Sequence, residues 1–133
     1  MIRPAAVAGF FYPASPDELR RTLATCVTDI KEKTEVKAVV APHAGYAYSG
    51  KTAGAAYSAV RLPRRFVILC PNHTGMGAPV AIMSSGAWET PLGRVQIDEE
   101  LASLVRENEP LVQESPAAHS NEHSLEVQLP FLQ

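Results

Sequence analysis

Two short apolar segments most strongly constrain the fold that this chain can adopt. Residues 36–41 and 66–70 are rich in β-branched and large apolar side chains, and each is followed by a proline-containing loop. Such runs are typical of strands that are buried on both faces. The alanine-rich residues 49–60 predict a helix between them. Strands that alternate with helices favour a three-layer α/β/α fold with a parallel or mixed central sheet.

Other parts of the chain carry local signals for single elements. Ser15 and Glu18 form a capping box, which predicts a helix that begins beside them. Asp98 is placed to cap another helix. Residues 80–83 predict a third strand, and residues 88–98 predict an extended hairpin. Together these signals describe a mixed α/β chain.

The size and charge of the chain exclude several classes of protein. Its 133 residues suit a single domain that spans residues 1–133. The formal net charge of −2 offers no basic surface to a nucleic acid. No segment reaches the roughly 20 apolar residues that span a bilayer, and no secretory signal is recognisable, so we expect a cytoplasmic protein. Cys26 and Cys70 are too far apart in sequence to suggest a zinc knuckle, and they indicate no disulfide framework.

A histidine follows each of the two strand-like segments. His43 lies in a Pro-His loop after the first segment, and His73 lies in a Pro-Asn-His loop after the second. Ligands of open α/β sheets collect beyond the carboxyl ends of the strands. Because imidazole binds iron, copper and zinc, we predict that His43 and His73 face one pocket that holds a divalent metal.

A further group of polar residues lies near the end of the sequence. His119, Glu122 and His123 surround Ser120, which predicts the start of a last helix. On that helix His123 would point inward, either as a hydrogen-bonded core residue or as a proton carrier beside Glu122. His119 would lie outside the helix, as a solvated loop residue or as a member of the site.

The residues around the first histidine loop leave two alternatives open. Tyr46 either packs in the core or forms a pocket wall that offers a phenol donor. Neither a phosphate-binding loop nor a G-x-S-x-G nucleophile motif is present in the sequence, which argues against a nucleotide-binding or serine-hydrolase function.

Five motifs resemble those of one known family. They are VAGFFYP at 7–13, APHAGYAYSG at 41–50, PNH at 71–73, ETPLG at 89–93 and EHSLEVQLPF at 122–131. In this order they resemble the Memo family, whose bacterial and archaeal members are also called AmmeMemoRadiSam system protein B. The resemblance covers nearly the whole chain.

The resemblance implies a fold and a metal pocket. The family is similar in fold to LigB-type class III extradiol dioxygenases, which use non-haem iron(II). His43 and His73 match the family's two metal-pocket histidines, and His123 matches a further pocket histidine. Family members continue past this point and supply a third metal ligand there. We therefore expect the chain to be the N-terminal portion of a longer protein, with a fold incomplete at its C-terminus.

Two classes of function follow from the resemblance. In the first, His43 and His73 hold iron(II), with copper or zinc as alternatives, and His123 moves a proton beside Glu122 for an oxidisable substrate near Tyr46. In the second, the pocket is a non-catalytic module that captures a small molecule or a peptide. It would act with radical-SAM and AMMECR-type partners, and homo-oligomers are compatible with either class.

Overall fold

The computed structural model describes residues 1–133, which form four α-helices, five short strands and two 3₁₀ turns. The regular elements are, in chain order, β1 (Ile2–Arg3), α1 (Pro16–Cys26), α2 (Tyr46–Ala59), β2 (Ala81–Ile82), β3 (Ala87–Thr90), β4 (Gly93–Gln96), α3 (Glu99–Asn108), β5 (Gln113–Glu114) and α4 (Leu129–Leu132). The 3₁₀ turns are Pro116–Ala118 and Glu126–Gln128.

The strands form one mixed sheet and one parallel pair. In the larger sheet β1 runs parallel to β3, and β3 runs antiparallel to β4. In the smaller sheet β2 and β5 are parallel. The predicted hairpin is confirmed, and Gly93 turns it with a φ of 128°, a conformation that side chains rarely adopt. The predicted α/β class with a mixed sheet is confirmed; the three-layer, LigB-like arrangement stays a prediction.

The helices begin where local capping signals place them, with one difference. The backbone N–H of Glu18 donates to the Ser15 hydroxyl at the start of α1, and that of Leu101 donates to Asp98 at the start of α3. Helix α2 begins at Tyr46, three residues before the predicted start, because the carbonyl of Gly45 already accepts the first helical hydrogen bond, from the backbone N–H of Ser49. None of the helices combines the length and the apolar character that crossing a lipid bilayer would require.

The hydrophobic core joins the two ends of the chain. Four buried side chains form its centre, and they are Tyr12, Leu19, Tyr46 and Val127. Phe131 adds its ring beside Tyr46, at a centroid distance of 5.0 Å. Through Val127 and Phe131, the core therefore holds the C-terminal segment against α1, α2 and the loop that precedes α1.

The predicted strands at residues 36–41 and 66–70 do not form, so that prediction was wrong. Neither segment makes a backbone hydrogen bond, and Val40 and Leu69 are 94% and 91% exposed. A strand requires a neighbouring backbone to receive its N–H and C=O groups, and no other segment of the chain lies alongside these residues as a ladder partner. The predicted strand at 80–83 does form, shortened to β2.

The predicted helix from Ser120 is also wrong. Residues 120–125 form turns, and helical structure begins only with the 3₁₀ turn Glu126–Gln128 and α4. The Ser120 hydroxyl donates to the carbonyl of Ala117 and caps no helix. Pro130 occupies the first turn of α4, where its missing N–H is tolerated, whereas it would break a longer helix that ran through it.

Candidate metal centre

Three imidazole rings meet at one place in the structure. The ring centroids of His43 and His73 are 5.2 Å apart, those of His73 and His123 are 4.7 Å apart, and those of His43 and His123 are 6.0 Å apart. The predicted proximity of His43 and His73 is thus confirmed, although neither lies after a regular strand. His123 joins them from the other end of the sequence.

The first loop is held by contacts on both sides of His43. The carbonyl of Pro42 accepts a hydrogen bond from Nε2 of Gln128 at 3.1 Å. On the other side Gly45 is the N-terminal cap of α2, and the backbone N–H of Tyr46, which follows it, donates to the carbonyl of Phe11 at 2.7 Å. These contacts orient the loop toward the other two histidines.

A tight turn and one long-range hydrogen bond place the second loop. The side-chain oxygen of Asn72 accepts hydrogen bonds from the backbone N–H groups of Thr74 and Gly75, each at 3.1 Å. The carbonyl of Pro71 accepts a hydrogen bond from the Ser124 hydroxyl at 2.8 Å. His73 is therefore fixed both within its own loop and against the C-terminal segment.

The carboxylate of Glu122 contacts both the backbone N–H and the ring of His73. Glu122 is only 2% exposed, and its carboxylate accepts hydrogen bonds from the backbone N–H of His73 and of Ser124 and lies 2.9 Å from Nδ1 of His73. Burial raises the pKa of Glu122, but the His73 ring and these backbone donors outweigh it and lower that pKa to about 2. An ionised carboxylate only accepts, so it favours the tautomer of the neutral His73 ring that has the hydrogen on Nδ1 and the lone pair on Nε2.

His123 completes the group from a largely apolar position. Its ring stacks on His73 at an interplanar angle of 18° and lies 4.5 Å from the ring of Phe11. Burial, together with the nearby rings of His73 and His43, lowers the pKa of His123, and Glu122 offsets this only in part. The ring is therefore neutral at pH 7, the state in which imidazole binds metals.

The most compact set of ligand atoms differs from the predicted one. One ligand atom from each of His73, Glu122 and His123 lies within 4.8 Å of the others, a grouping that could hold a metal ion. The sequence predicted His43 and His73 as ligands and assigned Glu122 and His123 to catalysis. The adjacent Glu-His pair was visible in the sequence, but its contact with a loop 49 residues earlier was not.

A cavity of about 560 Å³ opens beside two of the histidines. His43, His123, Phe11 and Tyr48 are among its lining residues. Tyr46 does not line it. The Tyr46 hydroxyl donates to the carbonyl of Val127 at 2.7 Å, and burial raises the pKa of that phenol. Tyr46 thus lies in the core beneath the site, whereas Tyr48 is at the opening.

His119 and the cysteines lie apart from the cluster. His119 is half-buried with its ring edge-on to Trp88, at a centroid distance of 5.8 Å, and burial lowers its pKa. Cys26 is buried at the contact of α1 with α2, and Cys70 is a second free thiol whose pKa is raised by burial. None of the three belongs to the compact set of ligand atoms.

Comparison with known proteins supports the resemblance found in the motifs. A family model described as "Memo-like protein" matches residues 3–133. The "MEMO1 family protein" of Aquifex aeolicus (strain VF5) is 49% identical over 133 residues, which cover 99% of this chain and 49% of the relative. A MEMO1 family protein of Pyrococcus furiosus is 50% identical over 139 residues, which cover 100% of this chain and 47% of that relative. The chain spans about half the length of the curated relatives that it matches.

Proposed function

Because this chain belongs to the Memo family, we propose that its histidine cluster binds a divalent metal ion. The observation that carries the proposal is the meeting of three imidazoles, one of which is held by an ionised carboxylate. Residues from three separate parts of the chain converge there. Hydrogen bonding of a ligand histidine to a carboxylate is the usual way in which metalloproteins fix its tautomer and orientation.

The donor set fits a transition metal. Neutral imidazole nitrogens with a nearby carboxylate suit iron, copper and zinc, whereas magnesium and calcium prefer oxygen ligands. His43 and His73 would hold the ion, with Glu122 fixing the ring of His73. Iron(II) is the metal we propose, because the family resembles iron-dependent extradiol dioxygenases; copper and zinc are the alternatives.

As a finer proposal, the site serves a metal-dependent oxidoreductase. A bound iron(II) ion would supply Lewis acidity and redox chemistry. The neutral ring of His123, which lines the cavity, would accept a proton from an oxidisable substrate, and Glu122, 3.5 Å from its Nδ1, would stabilise the resulting imidazolium. Tyr48 would contact that substrate at the opening. Tyr46 would position His123 indirectly, since its hydroxyl bonds the carbonyl of Val127, whose N–H in turn donates to the carbonyl of His123.

The experiment compares metal content between variants. Purified protein is loaded with iron(II) without oxygen, desalted and analysed for bound iron. We expect about one ion per chain in the wild type and little in His43→Ala or His73→Ala. His119→Ala is the matched control, since it removes the one histidine outside the cluster, and it should keep its ion. Wild-type iron content in both cluster variants would disprove the proposal.

A second experiment separates catalysis from binding. The cavity is open, and the side chain of His73 is 44% exposed, so a ligand could also be captured there without turnover. Oxygen uptake with a panel of catechols would support the oxidoreductase. Capture of a radical-SAM or AMMECR-type partner, with no oxygen uptake, would instead support the binding module.

A further inference from the structure

A buried ion pair lies beside the turn that carries Glu122. Arg3 and Glu126 are 3% and 0% exposed, and a nitrogen of the guanidinium donates to the Glu126 carboxylate. Neither side chain has a part in the metal site proposed above. Buried ion pairs often add little net stability, because desolvation of the charges offsets their attraction. The pair therefore calls for a role beyond stability.

Arg3 binds the turn that carries Glu122. Its Nη2 donates to the carbonyl of Glu122 at 2.7 Å, and its Nε donates to the carbonyl of His119 at 2.9 Å. The guanidinium lies over the ring of Trp88, 4.4 Å from the centroid, which restricts it to one plane. One rigid side chain thus holds both ends of the turn 119–122.

Glu126 anchors this arrangement to the start of the chain. One carboxylate oxygen accepts hydrogen bonds from Arg3 and from the backbone N–H of Ala6, at 2.9 Å for the latter. The other accepts from the backbone N–H of Val7 and from the Tyr12 hydroxyl. All four donors come from the first twelve residues, so the carboxylate ties the two ends of the chain together beside the turn.

We propose that Arg3 and Glu126 are positioning residues of the metal centre, which hold Glu122 where it fixes the ring of His73. The inference rests on the proposed metal function. Lysine cannot replace Arg3 in this role, because an ammonium is a point charge that lacks the planar fork needed to bond three carbonyls and a carboxylate at once. Loss of the bond to the Glu122 carbonyl would free the turn, and the Glu122 carboxylate would then no longer hold His73 in its Nδ1–H tautomer.

The test is Arg3→Lys with two readouts. Nitrogen-15 NMR of the metal-free protein reports which ring nitrogen of His73 is protonated, and a chelator competition gives the affinity for iron(II). We expect the wild type to show the Nδ1–H form alone and the variant to show a mixture of tautomers. We also expect an affinity loss of about tenfold, the lower end of the usual effect of losing an outer-shell partner.

Arg65→Lys is the matched control. Arg65 also binds a carboxylate, Asp98, through two nitrogens. It is half-exposed, however, and it makes no hydrogen bond to a histidine or to the turn 119–122. Its substitution should change neither the His73 tautomer nor the affinity.

The two proposals fail in different ways. An unchanged His73 tautomer in a folded Arg3→Lys protein would overturn the positioning role, whether or not metal binds. A shifted tautomer in a protein that binds no metal would support the positioning role and disprove the metal function. If Arg3→Lys does not fold, Tyr12→Phe removes one hydrogen bond from Glu126 and should shift the tautomer in the same direction, to a smaller extent; no shift there would overturn the inference.

Discussion

Gly54 makes the closest approach between the two long helices. A Cβ atom at this position of α2 would lie 2.2 Å from the carbonyl oxygen of Cys26 at the end of α1. That atom belongs to the backbone and cannot rotate away. The contact of α1 with α2 therefore depends on the absence of a side chain at one residue.

We expect Gly54→Ala to lower the free energy of unfolding by about 1–3 kcal/mol, the usual effect of overpacking. This loss should exceed the gain of up to about 1 kcal/mol from alanine's higher helix propensity. Urea denaturation followed by circular dichroism would measure it. Thr52→Ala, an exposed change in the same helix, is the control and should cause no loss. A Gly54→Ala protein at least as stable as the wild type would show that the helices are not this close.

The individual site residues differ in how far the sequence could predict them. His43 and His73 were predictable, because each follows an apolar segment and a proline and is followed by glycine. The link from Glu122 to His73 was not, since it joins residues 49 positions apart and leaves no local pattern. Arg3 was missed for the same reason: its partner Glu126 lies 123 positions away.

At the level of elements, α3 shows how one charged residue both begins a helix and binds a distant loop. Asp98 accepts the backbone N–H of Leu101 at 3.0 Å and forms two hydrogen bonds with Arg65. The Arg65 guanidinium and the Leu101 N–H lower the pKa of Asp98 to about 2, from its ordinary value of 3.8. Since the folded-state pKa is the lower one, ionised Asp98 favours folding above pH 3.8, and this contribution is lost as the pH falls toward 2.

We expect Asp98→Ser to lower the urea midpoint at pH 6, because serine keeps the cap and loses the charge. The difference from the wild type should shrink as the pH falls below about 4 and be mostly lost by pH 2. Denaturation curves at a series of pH values would measure this. Asp29→Ser, in an exposed loop, should show no such pH-dependent difference. A difference as large at pH 2 as at pH 6 would contradict the role of the charge.

The elements that the sequence predicted well are those with a local cause. The capping residues Ser15 and Asp98 placed α1 and α3, and the Gly93 turn lies within the predicted hairpin. The strands at 36–41 and 66–70 were not predictable by the same means, because strand formation depends on a partner backbone elsewhere. The last helix failed because Ser120 is used in a turn and Pro130 limits the helix behind it.

On the scale of the whole molecule, regular structure is unevenly distributed around the site. The segments 36–41 and 66–70 lead into the two histidine loops, yet they are largely exposed and make no backbone hydrogen bonds. The loops themselves are held from the other side by Ser124 and Gln128. The site is thus organised by the C-terminal segment, and the segments that precede its histidines contribute little order.

Hydrogen exchange tests this distribution directly. We expect the backbone amides of residues 37–41 and 66–70 to exchange at nearly the rate of an unstructured peptide, because these N–H groups donate no hydrogen bond. The amides in the middle of α2 should be strongly protected and serve as the internal control. Slow exchange in the two segments would show that they are paired as strands in solution.

The hydrogen bonds from Glu122, Ser124 and Gln128 reach back to loops 49 to 86 residues earlier. An ion held by His43 and His73 would be bound tightly only while the C-terminal segment is docked on the two loops that carry them. By linkage, an ion present at 100 times its dissociation constant would oppose detachment of that end by about 2.7 kcal/mol. The protection of the backbone amides of residues 124–128 from hydrogen exchange would then report the occupancy of the site.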